Sequence, residues 1–451
     1  MRQTVDSPAE RVHCGADARS SRGDVTLSPR DSAQLLLAVV ALLSAAHVLG
    51  FLATRVRLPR VVGEIGGGLL LGATGLGAFA PGLQAALISG APPTQHVLGA
   101  IYHLGLYLLL FCSGAEMRLH MDAGERRTAL TIGVIGTLLP FAAGLGLVAL
   151  VDTQPLMGAA AHRGALVLVI AIAVAVTSIP VIARIMLDLG IIDTPFARIV
   201  LSAAVLEDVG LYVVLAVALG LVGGQAGEAS IGLPALLDLH GVARASIYHT
   251  GATLAFFAFA LLVGPALFAR GVAWRGNLVH RASPTGALFL YMLGLTGLAM
   301  LLGIAPMFGA FVAGLVAGGQ RSADEAREQI RGFAFAFFVP LYFALVGLRI
   351  DLGHEFDLRF FLLFTAWATA AKAISVFLGA RVAGESRAGA LNLAVAMNAR
   401  GGPGIVLASV AFDAGIVSAS FYAQLVLLAL LTSAAAGAWL GRLVRAKKPL
   451  R

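Results

Sequence analysis

Apolar stretches of about 15 to 25 residues, bounded by charges, proline or glycine, recur along almost the whole chain and predict thirteen membrane spans. They fall near 32–53, 58–78, 96–117, 128–151, 164–187, 196–222, 246–270, 284–303, 306–319, 331–348, 359–382, 387–411 and 418–441. Residues 1–31 are polar, with five arginines and five acids, and read as a disordered tail; residues 442–451 form a short basic tail. Ser44-Ala45-Ala46 offers a weak cleavage site in the first apolar run, but the distance from the N-terminus favours an uncleaved span over a late signal segment.

Basic residues test this division, because cytoplasmic connections carry the excess of Lys and Arg. Connections after odd-numbered spans, counted with the span ends that flank them and together with the C-terminal tail, hold 21 basic residues; those after even-numbered spans hold 4. A missed or invented span would scramble that alternation. The chain therefore reads as a multi-pass protein of the cytoplasmic membrane with its C-terminus in the cytoplasm and its N-terminus outside. The five arginines of the N-terminal tail are the one misfit.

Thirteen spans divide as six, a linker helix near 246–270, and six, which places the second set upside down relative to the first. Two correspondences support inverted repeats. Spans 2 and 9 are glycine-rich, and spans 5 and 12 are each interrupted by helix breakers. In span 5 the run is Ala175-Val176-Thr177-Ser178-Ile179-Pro180, where Pro180 blocks a bond to the Val176 carbonyl; the alternative is a plain proline kink. Span 12 reads Met397-Asn398-Ala399-Arg400-Gly401-Gly402-Pro403-Gly404, whose three glycines and proline predict an unwound stretch.

Of the 32 basic residues only Lys372 and Arg400 lie deep inside a span, more than three residues from either end, and the adjacent acids Glu207-Asp208 lie mid-span in another. A charge at that depth costs roughly 3 kcal/mol on insertion scales and is normally paired, hydrated or functional. Neighbours on a helix point about 100° apart, so Glu207 and Asp208 face different partners. One acid can hold Lys372, as a switchable pair or as a permanent structural one. The other can bind a cation, helped by the hydroxyls of Thr177 and Ser178 and by freed carbonyls. Proton and metal cation then compete for the same oxygens. Arg400, which does not release its proton, fits compensation of helix-end dipoles at the break, beside Asn398. Glu64 in the glycine-rich span 2 has no evident partner, and Glu116 with Arg118 reads as a solvated edge.

Composition narrows the class without altering this picture. A 451-residue chain that is 59% hydrophobic, 12% charged and has a mean hydropathy of +0.89 is an all-α polytopic membrane protein. The net charge of +8 is scattered over short connections, which argues against nucleic acid as a partner. Cys14 and Cys112 support neither a disulfide framework nor a thiol metal cluster, and nothing calls for a cofactor.

Several segments together resemble the monovalent cation:proton antiporter superfamily, in its bacterial branch of sodium/proton exchangers and potassium-efflux antiporters. They are Leu58-Pro59-Arg60-Val61-Val62-Gly63-Glu64-Ile65, Ser178-Ile179-Pro180-Val181-Ile182-Ala183, Glu207-Asp208, Phe338-Val339-Pro340 with Val346-Gly347-Leu348-Arg349, Lys372, and Asn398-Ala399-Arg400-Gly401. The similarity covers about residues 32–441. It implies a sodium/proton antiporter fold in which spans 5 and 12 are discontinuous and cross beside the ion site, a separate dimerisation domain, and a homodimer in the bilayer. It further implies that Asp208 carries the ion or proton while the preceding acid pairs with Lys372. That preceding position is usually aspartate or asparagine in the family, so Glu207 is a departure. The chain ends about ten residues after its last span, so the appended nucleotide-binding domain of some potassium-efflux relatives is not expected.

The reading is a secondary antiporter, not an enzyme, that exchanges sodium or potassium for protons by alternating access. Its rivals are a cation channel, an ion-coupled exporter of an organic solute and, most weakly, an intramembrane enzyme. Side-by-side acids on one helix do not converge as paired-aspartate proteolysis requires.

Overall fold

The computed structural model describes residues 27–56, 58–88, 92–115, 123–192, 194–223, 232–237, 242–274, 276–352 and 356–451. Most of the expected N-terminal tail, Cys14, and Glu116 with Arg118 lie outside them. The regular elements among the described residues are helices, with one isolated bridge between Met157 and Val417.

The first helices are α1 (Pro29–Arg55), α2 (Arg60–Leu71), α3 (Pro92–Ala115) and α4 (Ala123–Leu147). Next come α5 (Arg163–Ala175), α6 (Ile179–Asp188), α7 (Pro195–Gly223), α8 (Val242–Leu262) and α9 (Gly264–Ala273). The second half holds α10 (Pro284–Leu301), α11 (Pro306–Gly318), α12 (Asp324–Phe333) and α13 (Val339–Leu348), the last two joined through a π-turn at Ala334–Phe338. It closes with α14 (Leu358–Val382), α15 (Arg387–Ala396), α16 (Gly401–Asp413) and α17 (Ala419–Arg445). Side-chain oxygens of Ser28, Asp357, Ser386 and Ser418 cap α1, α14, α15 and α17 at amides that lack an intrahelical partner.

Among the described residues ten helical stretches, with α15 and α16 counted as one, are long and apolar enough to cross a membrane, or eleven with α8–α9 taken as one span. The expected number was thirteen. The difference falls on the spans near 164–187 and 306–319, where α5 and α11 are shorter apolar helices of 13 residues each. The expected linker helix is bent by 51° between α8 and α9, where Pro265 has no amide to give and its ring excludes the carbonyl one turn back.

The helices form two bundles. In one, α2 packs between α1 and α13, α3 lies on α11 and α13, and α10 lies on α11. In the other, α4 packs on α5, α7 and α14, and α17 covers α15 and α16. The helix α8 joins them, lying along α7 and touching α11. The outward faces of both bundles are apolar: Leu36, Leu37 and Val40 of α1 and Leu362, Leu363 and Ile374 of α14 are exposed. Such a surface is costly in water and at no disadvantage in lipid.

The glycines of span 2 serve packing. A Cβ at Gly68 would run into the carbonyl oxygen of Ala344 on α13, and one at Gly347 into that of Ile65 on α2. Glu64 on the same helix does have a partner: Arg60, one turn earlier, approaches its carboxylate to 3.0 Å. At spacing i, i+4 these two side chains are neighbours on one face.

Candidate functional site

Spans 5 and 12 are both broken, and the breaks meet. The first leaves Val176, Thr177 and Ser178 outside any helix between α5 and α6; the second leaves Met397 to Arg400 between α15 and α16. The Ser178 amide donates to the Ala399 carbonyl at 2.6 Å, and the Thr177 hydroxyl donates to the Met397 carbonyl at 2.6 Å. The Ser178 hydroxyl oxygen accepts from the Gly402 amide at 3.0 Å and the Val181 amide at 3.3 Å, so it caps the second half-helix of each pair. The opening amides of α16 find further acceptors on α17: Arg400 N lies 3.4 Å from Thr432 Oγ1, and Gly401 N lies 3.0 Å from Ser433 Oγ.

Pro180 and Pro403 both sit in the first turn of the half-helix that follows the break. A missing amide is harmless there, because first-turn amides have no intrahelical acceptor. For the same reason Gly401 to Gly404 are helical, although their composition predicted unwinding; the unwound residues are the four before them. Gly401 has φ +22°, and a Cβ there would overlap the Val181 side chain and lie 2.8 Å from Ser178 Oγ. Gly401→Ala is expected to lower stability by roughly 2–3 kcal/mol through overpacking at the crossing, read as a reduced unfolding midpoint of the purified protein in detergent.

The carbonyls at the end of α5 have lost their helical donors, and two cations replace them. Arg400 donates from Nε to Ala173 O at 3.1 Å and from Nη2 to Val174 O at 3.0 Å and Ala368 O at 2.8 Å. Its Nη1 donates to Asn398 Oδ1 at 2.8 Å, while Asn398 Nδ2 donates to Thr369 O at 3.2 Å. Lys372 Nζ donates to Ala175 O at 2.5 Å, Gly136 O at 2.9 Å and Glu207 Oε1 at 2.7 Å. Arg400, Lys372 and Glu207 are fully buried. A positive group at a helix C-terminus meets the negative end of the backbone dipole, and a planar guanidinium suits several carbonyls at once.

Glu207 and Lys372 are therefore brought together, and Asp208 is hydrogen-bonded to neither. Asp208 is 1% exposed, and neither carboxylate oxygen has a hydrogen-bond partner among the described residues. The hydroxyls of Thr137 and Thr177 lie close to Glu207 but donate to the carbonyls of Gly133 and Met397. No hydrogen bond links Thr177 or Ser178 to Asp208. Two helix ends and two cations are thus mutually paired with one oxygen of Glu207, while Glu207 Oε2 and both oxygens of the adjacent Asp208 have no hydrogen-bond partner among the described residues.

Residues 38–446 match the family model described as sodium/hydrogen exchanger, transmembrane. The chain belongs to the sodium/hydrogen exchanger family. Within this family of transporters it is 26% identical over 411 residues to Cation/H(+) antiporter 17 of Arabidopsis thaliana, covering 88% of this chain and 47% of that protein. This chain thus spans about half the length of the plant relatives it matches. It is 24% identical over 402 residues to the Na(+)/H(+)-K(+) antiporter GerN of Bacillus cereus, covering 88% of this chain and 92% of that protein. The solved sodium proton antiporter MjNhaP1 of Methanocaldococcus jannaschii superposes with a TM-score of 0.63 at 15% identity, over 92% of this chain and 99% of that one. At that identity the likeness shows the fold alone.

Two groups of this chain were not singled out from sequence. Tyr212 lies one turn beyond Asp208, a spacing visible in the sequence but unremarkable in an apolar helix. Arg349, Asp413 and Tyr102 form a cluster: Arg349 Nη1 is 2.6 Å from Asp413 Oδ1, the Tyr102 hydroxyl donates to Asp413 Oδ2 at 3.1 Å, and the guanidinium lies 4.4 Å from the Tyr102 ring centre. Asp413 lies 64 positions beyond Arg349 and 311 beyond Tyr102, and no local pattern joins them.

Proposed function

We propose that this chain is a secondary antiporter that exchanges a monovalent cation, sodium or potassium, for protons across the cytoplasmic membrane by alternating access. The observation that carries the reading is the Asp208 carboxylate, which is buried without a partner beside the crossing of two broken helices. An uncompensated charge in such a place costs several kcal/mol, so a proton or a cation must accompany it. One carboxylate that accepts either, but not both, couples the two flows.

In this reading Asp208 binds the transported ion, and Glu207 with Lys372 forms a pair that rearranges when the ion arrives. Thr177 has lone pairs to offer beyond its bond to Met397, and it is assigned to the ion site with backbone carbonyls of the breaks. Ser178 already accepts two amides, so it is assigned to the crossing. Arg400, Asn398 and Pro180 are assigned to holding the breaks open against the α5 end. The named relatives exchange cations for protons, which favours antiport over a channel or an organic-solute exporter. The charge bias supports an external N-terminus and a cytoplasmic C-terminus, and the family resemblance supports a homodimer with inverted repeats.

The test is proton flux in proteoliposomes against lithium, sodium, potassium and rubidium. Competition at one carboxylate predicts that the apparent KM for the cation rises about tenfold for each unit of falling pH over the acid limb, with maximal rate restored by excess cation. A cation-independent proton leak, or single-channel currents, would overturn the reading.

A further inference from the structure

The acid pair divides α7 into two faces. Glu207 looks into the bundle that holds α4 and α14, where Lys372 and Gly136 meet it. Asp208, Tyr212 and Ala216 recur at i, i+4 and i+8 and form one stripe on a different face. Tyr212 shows where that stripe points. Its ring packs edge-on against Phe311 at 4.9 Å and Phe308 at 6.0 Å, both on α11 of the other bundle. Phe308 also packs on Phe257 of α8 at 5.6 Å. The open carboxylate therefore lies on the side of α7 where the two bundles meet.

A cavity of about 80 Å³ opens along the same stripe, lined by Ala216 and Gly220 of α7, His249 and Thr253 of α8, and Phe308 of α11. Tyr212 occupies the turn of α7 between this cavity and Asp208. It is 5% exposed, and its hydroxyl has no hydrogen-bond partner among the described residues, the same condition as both oxygens of Asp208. The surrounding rings are phenylalanines. A phenylalanine at 212 would fill the same space without leaving a buried hydroxyl unsatisfied, so the oxygen itself needs an explanation.

We infer that Tyr212 is a cation-selecting residue of the Asp208 site: its hydroxyl oxygen supplies a neutral ligand to a dehydrated alkali cation at the carboxylate, and its ring closes the path from the cavity beside His249 and Thr253. The inference rests on the antiport reading of Asp208 and deepens it. A carboxylate alone attracts alkali cations largely by charge, whereas a rigidly placed neutral oxygen favours the ion whose size suits the gap. The aromatic packing on Phe308 and Phe311 holds that oxygen in place.

The experiment uses the full chain carrying Tyr212→Phe, which keeps the ring and removes only the oxygen. In proteoliposomes the KM for the preferred cation is expected to rise about tenfold, the loss of one ligand to a charged group. The maximal rate should stay within about twofold, and preference across lithium, sodium, potassium and rubidium should flatten. In detergent, the rise in unfolding midpoint that sodium or potassium gives the wild-type protein should shrink in Tyr212→Phe while the midpoint without cation is kept. Unchanged KM and selectivity would overturn the inference. So would a lowered cation-free midpoint with selectivity intact, since that marks a packing role. Wild-type protein that is stabilised by cation but exchanges none would remove the antiport reading and leave the Tyr212 ligand standing.

Discussion

Asp208→Asn is expected to abolish cation-dependent proton flux, with exchange falling by about 100-fold or more while the protein remains folded. The asparagine has the size of the acid but binds no proton at neutral pH and offers a cation one neutral oxygen in place of a charged carboxylate. Losing a charged contact in a dry site is worth a factor of ten for every 1.4 kcal/mol, and here the exchangeable proton is lost as well. Folding should survive because neither Asp208 oxygen bonds to the described protein, so the substitution breaks nothing the bundle relies on. The measurement is flux in proteoliposomes beside size-exclusion behaviour and unfolding midpoint in detergent. Retained exchange at near wild-type rate would take Asp208 out of its assigned role.

The second large effect concerns stability. Lys372→Met removes the 2.7 Å partner of Glu207 and strips the donors from Gly136 O and Ala175 O in a fully buried place. It is expected to destabilise the protein by about 3–5 kcal/mol, the usual consequence of leaving one member of a buried pair alone. Adding Glu207→Gln should restore a large part of that loss, because the remaining group then carries no charge. A double variant no more stable than Lys372→Met would mean that the carbonyl contacts, not the ion pair, hold the lysine. The same variants test whether the pair takes part in transport. If it switches, wild-type exchange responds to an imposed membrane voltage, and the double variant, with no charge left at either position, responds less.

The pairing of Glu207 with Lys372 was readable because each is a charge in an otherwise apolar span, and lipid leaves few ways to satisfy one. Asp208, placed about 100° further round the helix, had to face elsewhere. The breaks were readable too, since Pro180 and Pro403 remove amides and glycines weaken the helix. Their limits were not. Pro403 and its glycines sit inside the first turn of α16 because the missing amide costs nothing there, and Ser178, Thr432 and Ser433 receive amides of that turn. The assignment of Arg400 to α5 was equally hidden, since Ala173 and Val174 precede it by more than two hundred positions. Glu64 lacked a partner only in appearance: Arg60 stands at i+4 spacing, a local pattern available in the sequence.

By itself the sequence determined that this is a helical membrane protein, where most of its spans lie, and which few charges the bilayer core must accommodate. These follow from local physics: a span needs a run of apolar side chains, and a buried charge announces itself by its cost. Tertiary structure decided how the two breaks cross, which carbonyls Arg400 and Lys372 cap, and that the Asp208 stripe opens toward Tyr212 and the opposite bundle. Hydropathy is indifferent to how one apolar helix docks on another in lipid, so close approach at glycines such as Gly68 and Gly347, and the demand of every freed backbone group for a partner, select the packing.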